Sequence, residues 1–253
     1  METVERDAPL PCRNLSGMSI ATRIEAVKTG DAAGMPCHLA LRSNHRGPGI
    51  LVLQEIFGVN DYVRGRAETL AGLGYVAMAP DLYWRLEPAV AIPHDEAGLQ
   101  RAFGYMQRLD EPRAVRDAVA AVDHLRGLPE VTGTVAVLGF CMGGRIGYHV
   151  TAGSQPDAAV LYYGSGTAAA LELATDIGCP VLFHFGADDD YIPPEQVEAI
   201  RTAFRGRDDV EFDVQPGAGH AFDNYLAPMF HVPHAREAAW ALTEDFLRRR
   251  LPV

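Results

Sequence analysis

The sequence predicts an α/β fold built on one mostly parallel sheet with helices on both faces, and three observations lead to this prediction. Short, almost entirely apolar runs recur along the chain, from "GILVLQ" at residues 49–54 to "PVLFHFG" at residues 180–186. Stretches of helical length and periodicity separate most of them. The 253 residues are 48% hydrophobic, which is enough for a substantial core. Because parallel strands covered by helices are apolar throughout, this alternation favours a parallel sheet.

An antiparallel hairpin is predicted before this alternation begins. The segments "MSIATRIEAV" and "MPCHLALR" flank "KTGDAAG", whose glycines suit a turn between two strands. Residues 1–16 form a polar lead. The chain contains no linker, repeat or low-complexity tract, so we expect one domain over residues 1–253.

The remaining elements follow in order. The first unit comprises the strand "GILVLQ", the helix "DYVRGRAETLAGLG" and the strand "YVAMAP". A longer helical section at residues 95–127, with Pro112 as a break, leads to the strand "TVAVLG" and the helix "GRIGYHVTAG". The last units are the strands "AAVLYYG" and "PVLFHFG", the helix "PPEQVEAIRTAF", the strand "VEFDVQ" and a closing helix at residues 234–250.

The charge and the cysteine content argue against several classes of protein. A net charge of -11 does not suit nucleic-acid binding, which needs clustered Lys and Arg. The four cysteines stand far apart, without the spacing of a disulfide framework. The first twenty residues contain no apolar run long enough for a signal peptide or a membrane span. We therefore expect a cytoplasmic monomer or small homo-oligomer that binds a small molecule and neither nucleic acid nor membranes.

A cysteine stands where a predicted strand turns into a helix. In "GFCMGG", Gly139, Cys141 and Gly143 form G-x-C-x-G, the spacing of a nucleophile elbow with sulfur in place of the usual serine oxygen. Glycines two residues to either side leave room for the strained turn that presents such a nucleophile. The alternative is a glycine-rich turn around an inert, buried cysteine.

Polar and reactive side chains follow five of the predicted strands, at the carboxyl edge where α/β sheets bind their ligands. Three of these strand ends carry Cys141, an aspartate run at residues 188–190 and His220, in the chain order of α/β-hydrolases. The imidazole could deprotonate the thiol, and an aspartate would hold the imidazole in one tautomer. Asp189 is favoured over Asp188, because it lies three residues after Gly186 and four before Pro193. No spacing resembles an EF-hand or an HExxH metal site.

Five blocks together resemble the dienelactone hydrolase (carboxymethylenebutenolidase) family over about residues 49–250. They are "QEIFGVN", "APDLYWR", "GFCMGG", "GADDDYIP" and "GAGHAFDN". The resemblance implies an α/β-hydrolase fold and hydrolysis of carboxylic esters or lactones through a thioacyl-enzyme, with no cofactor. It implies a triad of Cys141, His220 and Asp189. An oxyanion hole would come from the backbone N–H groups of Ile56 and Met142.

The resemblance also implies roles for residues around the triad. Glu55 would face Cys141 in the resting enzyme, and Arg85 would bind a substrate carboxylate through its guanidinium fork. The family enzyme that acts on dienelactone carries a second arginine four residues after its catalytic histidine, where this chain has Asn224. We therefore expect dienelactone to be a poorer substrate than neutral esters. The remaining residues predicted to contact substrate are Phe57, Tyr83 and Trp84.

Three other functions compete with ester hydrolysis. The same scaffold could hydrolyse thioesters or activated phosphoesters. It could instead be a catalytically idle fold used for binding, although a complete triad argues against this. A redox-sensing thiol is disfavoured because no second cysteine is adjacent to Cys141 in the sequence.

Overall fold

The structure is a computed structural model that describes residues 19–30 and 34–253. The predicted polar lead and Cys12 lie outside the described residues. Within the described residues, eight strands form one sheet in the order β1-β2-β4-β3-β5-β6-β7-β8. Their bounds are β1 Ile20–Lys28, β2 Gly34–Arg42, β3 Gly47–Leu53, β4 Val76–Pro80, β5 Val131–Phe140, β6 Ala158–Tyr162, β7 Val181–Gly186 and β8 Val210–Gln215.

The sheet is antiparallel at one edge and parallel elsewhere. Strands β1 and β2 pair as an antiparallel hairpin, and β2 also pairs antiparallel with β4. Every other neighbouring pair is parallel. Strands β3, β4, β6 and β7 are fully buried, and β5 is buried from Val135 onward. Strand β1 is largely exposed, and β8 is half-buried. The predicted fold class, a mostly parallel sheet with an antiparallel N-terminal hairpin, is confirmed. The single domain over residues 1–253 stays a prediction.

The part of the chain that the structure describes contains six α-helices, of which the first five lie between strands and the last follows β8. They are α1 Asp61–Leu73, α2 Glu96–Arg108, α3 Glu111–Arg126, α4 Met142–Ser154, α5 Pro194–Ala203 and α6 Pro233–Arg250. Sequence signals account for the ends of α1: the Asn60 side chain accepts a hydrogen bond from the Val63 N–H, and Gly74 ends the helix in the left-handed region at φ 105°. No helix of the described residues is long and apolar enough to cross a membrane.

Two details differ from the sequence-based prediction. The break between α2 and α3 falls at residues 109–110, and Pro112 lies in the first turn of α3. A proline is well accommodated there, because the first N–H groups of a helix have no intrahelical acceptor. Two short 3₁₀ helices, Thr167–Ala169 and Leu171–Thr175, occupy a connection that the apolar pattern did not predict as helical.

The topology determines where functional side chains can meet. After β3 the chain adds β4 on one side and then crosses to place β5 on the other side of β3. Connections on opposite sides of a parallel sheet leave a crevice at the carboxyl ends of such adjacent strands. Residues that follow β3 and β5, together with those that follow β7 and β8 further along the sheet, therefore face the same end of the molecule.

Candidate active site

Cys141 occupies a strained turn between β5 and α4. Its backbone torsions are φ 54° and ψ -117°, a region that non-glycine residues rarely adopt. A Cβ atom on Gly139 would lie 2.1 Å from the Gly143 carbonyl oxygen, and one on Gly143 would lie 2.4 Å from the Leu53 carbonyl oxygen. Both glycines are thus needed for β5, α4 and β3 to approach closely, and the turn has the form of a nucleophile elbow.

A hydrogen-bonded relay joins the three residues of the predicted triad. The Cys141 Sγ lies 3.1 Å from the His220 Nε2, and the His220 Nδ1 lies 2.8 Å from the Asp189 Oδ2. Asp189 is buried and its other oxygen accepts the Tyr191 N–H at 2.8 Å, whereas Asp188 is exposed. The arrangement can hold the imidazole in one tautomer, with Nε2 directed at the sulfur.

The surroundings of His220 favour its charged form. Burial lowers the pKa of the imidazole, but the Cys141 sulfur and the Asp189 carboxylate raise it by more, to about 10. The rings of Tyr163 and Tyr191 lie edge-on to the imidazole, with centroids at 5.3 and 5.0 Å. A protonated imidazole beside the sulfur stabilises a thiolate, which is the nucleophilic form of cysteine.

The two residues predicted to form the oxyanion hole are linked by a third. Met142 is the first residue of α4, where backbone N–H groups have no intrahelical acceptor. Ile56 follows β3 and lines the same cavity as Cys141. The Tyr83 hydroxyl donates to the Ile56 carbonyl at 3.0 Å and lies 3.5 Å from the Met142 Sδ. Tyr83 is completely buried and thus lies behind these two residues, where it holds their backbones in place.

Glu55 lies in the cavity wall, but its carboxylate is hydrogen-bonded to residues other than Cys141. The Asn224 Nδ2 donates to the Glu55 Oε2 at 2.5 Å, and the Tyr163 hydroxyl donates to Oε1 at 3.4 Å. Burial raises the pKa of Glu55 to about 7, although the hydrogen bond from Asn224 opposes this shift. The Asn224 Nδ2 also lies 3.1 Å from the His94 Nε2. Asn224 is completely buried, and it contacts Glu55 rather than the open cavity.

Arg85 and Trp84 are not brought to the cavity, contrary to the placement that the sequence predicts for them. The Arg85 guanidinium binds the Asp117 carboxylate of α3, with Nη2–Oδ1 at 2.9 Å and Nε–Oδ2 at 3.1 Å. Its Cζ atom lies 3.9 Å from the centre of the Trp84 ring, and the Trp84 indole N–H donates to the same carboxylate. The sequence gives no indication of this pairing, because Asp117 is 32 residues away in a different element.

The cavity around the sulfur has a mostly apolar wall. Its volume is about 650 Å³, including the open solvent at its mouth. One face of α2 contributes three side chains at helical spacing, Leu99, Phe103 and Met106. Other apolar walls come from Phe57 and Phe230. Only Phe57 of these five was predicted from the sequence. The spacing along α2 was the signal for its three side chains, since the apolar face of an amphipathic helix packs against the rest of the protein. Phe230 lies in the loop before α6, where no such spacing marks it.

Arg145 also lines the cavity, although the sequence did not predict it as a site residue. It lies four residues after Cys141 on α4. Its guanidinium forms a bidentate pair with Glu111, with Nη2–Oε2 at 2.6 Å and Nε–Oε1 at 3.0 Å. The positive charge of Arg145 is therefore already neutralised by the Glu111 carboxylate. Among residues 19–30 and 34–253, no three His, Cys, Asp or Glu side chains could jointly hold a metal ion.

Comparison with known proteins places the chain in a family. The sequence model of the dienelactone hydrolase family matches residues 35–251. A carboxymethylenebutenolidase of a Pseudomonas species is 36% identical over 217 residues, which cover 85% of this chain and 90% of that protein. A putative carboxymethylenebutenolidase of Escherichia coli is 32% identical, over 84% of this chain and 82% of its own length.

Solved structures agree. A putative dienelactone hydrolase from Klebsiella pneumoniae matches with a TM-score of 0.77 and 27% identity, over 91% of this chain and 99% of its own. A dienelactone hydrolase-like promiscuous phosphotriesterase from metagenomic libraries matches with a TM-score of 0.78 and 28% identity, over 92% of this chain and 99% of its own. The match to the family model spans every strand of the sheet except β1 and includes all three residues of the relay. The chain belongs to the dienelactone hydrolase family.

Proposed function

We propose that this family member hydrolyses neutral carboxylic esters or lactones through a thioacyl-enzyme, with Cys141 as the nucleophile. The observation that carries the proposal is the relay at the elbow, with Sγ–Nε2 at 3.1 Å and Nδ1–Oδ2 at 2.8 Å, at the wall of an open cavity. Family membership makes the protein a hydrolase that acts on esters or lactones. The identity of the nucleophile and the covalent intermediate are the new parts of the proposal.

The proposed reaction proceeds in two steps. The Cys141 thiolate attacks the carbonyl carbon, and the oxygen that becomes negative is held by the N–H groups of Ile56 and Met142. Protonated His220 gives its proton to the leaving alkoxide as the C–O bond breaks, which leaves a thioester on sulfur. His220 then removes a proton from water, and the resulting hydroxide releases the acid and restores the thiolate. Asp189 keeps the imidazole in the orientation that both proton transfers require.

Glu55 is proposed to adjust the charge of the thiol. Its carboxyl lies in the same cavity wall as Cys141 and has a pKa near 7. In its ionised form it would repel the thiolate, whereas in its neutral form it would not. Above pH 7, iodoacetamide should therefore alkylate the thiol of the Glu55→Gln variant faster than that of the native protein. Equal alkylation rates from pH 6 to pH 9 would contradict this role.

The cavity supports a neutral substrate. Its walls are mostly apolar, and the Arg145 guanidinium that reaches it is paired with Glu111. Arg85, the residue that the sequence predicted to bind a substrate carboxylate, is paired with Asp117. A substrate carboxylate would have to displace one of these carboxylates, which costs most of the energy that the new contact provides. We expect dienelactone, which carries a carboxylate, to be hydrolysed poorly.

A second candidate activity is hydrolysis of activated phosphotriesters. One observation favours it: the dienelactone hydrolase-like phosphotriesterase is similar over 92% of this chain. The same thiolate could attack phosphorus, and the oxyanion donors could hold the phosphoryl oxygen. A neutral triester also suits the apolar cavity better than an anionic lactone does.

One substrate panel tests these proposals together. The panel compares p-nitrophenyl butyrate, the same ester carrying a terminal carboxylate, dienelactone and paraoxon, each with the native protein and with Cys141→Ala. We expect the neutral ester to have the highest kcat/KM, and mass spectrometry of the native protein after rapid acid quenching to detect acylated Cys141. Preference for the carboxylate esters would contradict the proposed substrate class. Undiminished turnover by Cys141→Ala would contradict the nucleophile.

We also propose a reducing compartment, such as the cytoplasm. Cys37, Cys141 and Cys179 are free thiols in the structure, and burial raises the pKa of Cys179 to about 12. Buried thiols of this kind are typical of proteins that fold without disulfides.

A further inference from the structure

A second cleft opens beside the catalytic cavity and shares lining residues with it. It has a volume of about 880 Å³, including the open space above it. Three residues, Arg145, Ser165 and Tyr191, line both the cleft and the cavity. The other walls come from the first 3₁₀ helix and from α5, and they are Gly166, Ala168, Ala169, Glu195, Gln196 and Ala199.

The two compartments differ in chemistry. The cavity has a mostly aromatic and aliphatic wall, whereas the cleft adds the Gln196 amide and the Glu195 carboxylate to the Ser165 and Tyr191 side chains that border both compartments. These groups include both donors and acceptors. Within residues 19–30 and 34–253, none of these four side chains makes a hydrogen bond to another residue. They are therefore available to a ligand that can both donate and accept.

Charge narrows the class of ligand. The Arg145 guanidinium is paired with Glu111 and also donates to the Ser165 carbonyl at 3.2 Å, so it is already occupied. Glu195 adds a negative charge, and the chain as a whole carries -11. An anion would be disfavoured here, and a purely apolar group would leave the hydroxyls and the amide without partners. A neutral group that carries hydroxyls fits the lining best.

The position of Tyr191 indicates which part of a substrate reaches the cleft. Its ring lies edge-on to His220, 5.0 Å between centroids, and also forms the border with the cleft. His220 must protonate the leaving alkoxide, so the leaving alcohol lies on the His220 side of the scissile bond. We propose that the cleft binds the alcohol portion of the substrate and that this portion is a neutral polyol, while the apolar cavity takes the acyl group. This inference rests on the proposed ester hydrolysis and specifies its substrate.

Two esters with the same acyl group test the inference. Propyl butyrate and 2,3-dihydroxypropyl butyrate differ only in two hydroxyls, so the ratio of their kcat/KM values measures what the cleft recognises. Each hydroxyl that gains a hydrogen bond should raise kcat/KM by about threefold to tenfold, so we expect the native protein to prefer the dihydroxypropyl ester by roughly tenfold or more. Hydrolysis of p-nitrophenyl butyrate is measured in parallel, because its leaving group is activated and carries no hydroxyl, so its turnover tests ester hydrolysis without the hydroxyl contacts of the cleft.

Three variants connect the ratio to the cleft. Ala199→Phe would fill the cleft and should bring the ratio close to one. Gln196→Leu would remove the donor and the acceptor of one amide and should lower the ratio by about threefold to tenfold. Ala203→Phe is the matched control, because Ala203 lies one turn further along α5, is exposed and does not line the cleft. It should keep the native ratio.

A native ratio of one or below would overturn the inference. A ratio that Ala199→Phe and Gln196→Leu both leave unchanged would also overturn it. In either case, turnover of p-nitrophenyl butyrate would leave the proposed ester hydrolysis standing. Hydrolysis of none of the three esters would overturn the proposed function, and this inference with it.

Discussion

Two histidines of this protein sit in nearly the same arrangement of hydrogen bonds. His220 has Asp189 on Nδ1 at 2.8 Å and the Cys141 sulfur on Nε2 at 3.1 Å. His184, on β7, has Asp213 on Nδ1 at 2.7 Å and the Thr243 hydroxyl on Nε2 at 3.0 Å. By distance alone, each histidine links a carboxylate to a potential nucleophile, and Asp213, His184 and Thr243 form the His184 series.

The surroundings of the two histidines differ. His184 and Thr243 are both completely buried, the His184 ring stacks on Tyr162 at 4.2 Å, and the Tyr162 hydroxyl lies 2.6 Å from the Thr243 hydroxyl. Thr243 lies within α6, in ordinary helical backbone. Cys141 instead lies at a strained turn, beside the start of a helix and in the wall of an open cavity.

The comparison shows that relay geometry alone does not make a catalytic site. A substrate must reach the nucleophile, and donors must face the oxygen that becomes negative. The His184 series lacks access, so its hydrogen bonds join β7, β8 and α6 and stabilise the fold. The sequence pattern could not identify it, because threonine in a helix carries no motif.

The largest expected difference between the two regions concerns the nucleophile. Cys141→Ala should lower kcat by about three orders of magnitude or more, because the alanine cannot form the thioester. The free energy of unfolding should change little, since the side chain is small and only half-buried. Ester turnover and urea unfolding measure the two effects. Native turnover in this variant would show that the relay at His220 is as structural as the one at His184.

The aspartates provide the next test. Asp189→Asn should reduce kcat by about 10²- to 10⁴-fold, because an amide can hold the imidazole in the wrong tautomer. Asp188→Asn is the matched control, since Asp188 is adjacent, exposed and outside the relay, and it should stay within about twofold of native. If Asp188→Asn were the more damaging change, the assignment of the acid would be wrong, although the nucleophile would be unaffected.

A change in the buried His184 series should lower the stability of the protein rather than its activity. Thr243→Val removes the hydroxyl that lies between His184 and Tyr162, which leaves two buried polar groups unpaired. We expect the free energy of unfolding to fall by ~1–3 kcal/mol, with kcat/KM for p-nitrophenyl butyrate within about twofold of native. A large loss of activity in a variant of native stability would indicate that the series contributes to catalysis.

The smallest effect is a pH dependence. Burial raises the pKa of Asp213, but hydrogen bonds from His184 and Gln215 lower it by more, so its pKa in the folded state lies below its ordinary value. Its contribution to stability is therefore present above the unfolded pKa of about 3.9 and is lost as the pH falls through the folded pKa. The stability difference between the native protein and Asp213→Asn should be largest near neutral pH and should shrink below about pH 4. A stability difference that grows below about pH 4 would show that the pKa of Asp213 is raised rather than lowered in the folded state.

The sequence by itself determined those features that depend on residues close together in the chain. The apolar runs separated by helical stretches predicted the parallel sheet, and the segments around "KTGDAAG" predicted the hairpin that β1 and β2 form. The glycines at 139 and 143 predicted the tight turn at Cys141. In each case, the signal and the structure it specifies lie within a few residues of one another.

Only the tertiary structure decided which partners the charged and polar groups take. Arg85 binds Asp117, Arg145 binds Glu111 and Asn224 binds Glu55, and each pair joins residues 32 or more positions apart. A guanidinium or an amide can satisfy its hydrogen bonds with any acceptor that the fold brings near, so its sequence neighbours do not specify its partner. The same reason separates the two histidines, because access to solvent and to a cavity depends on packing from all sides of a residue.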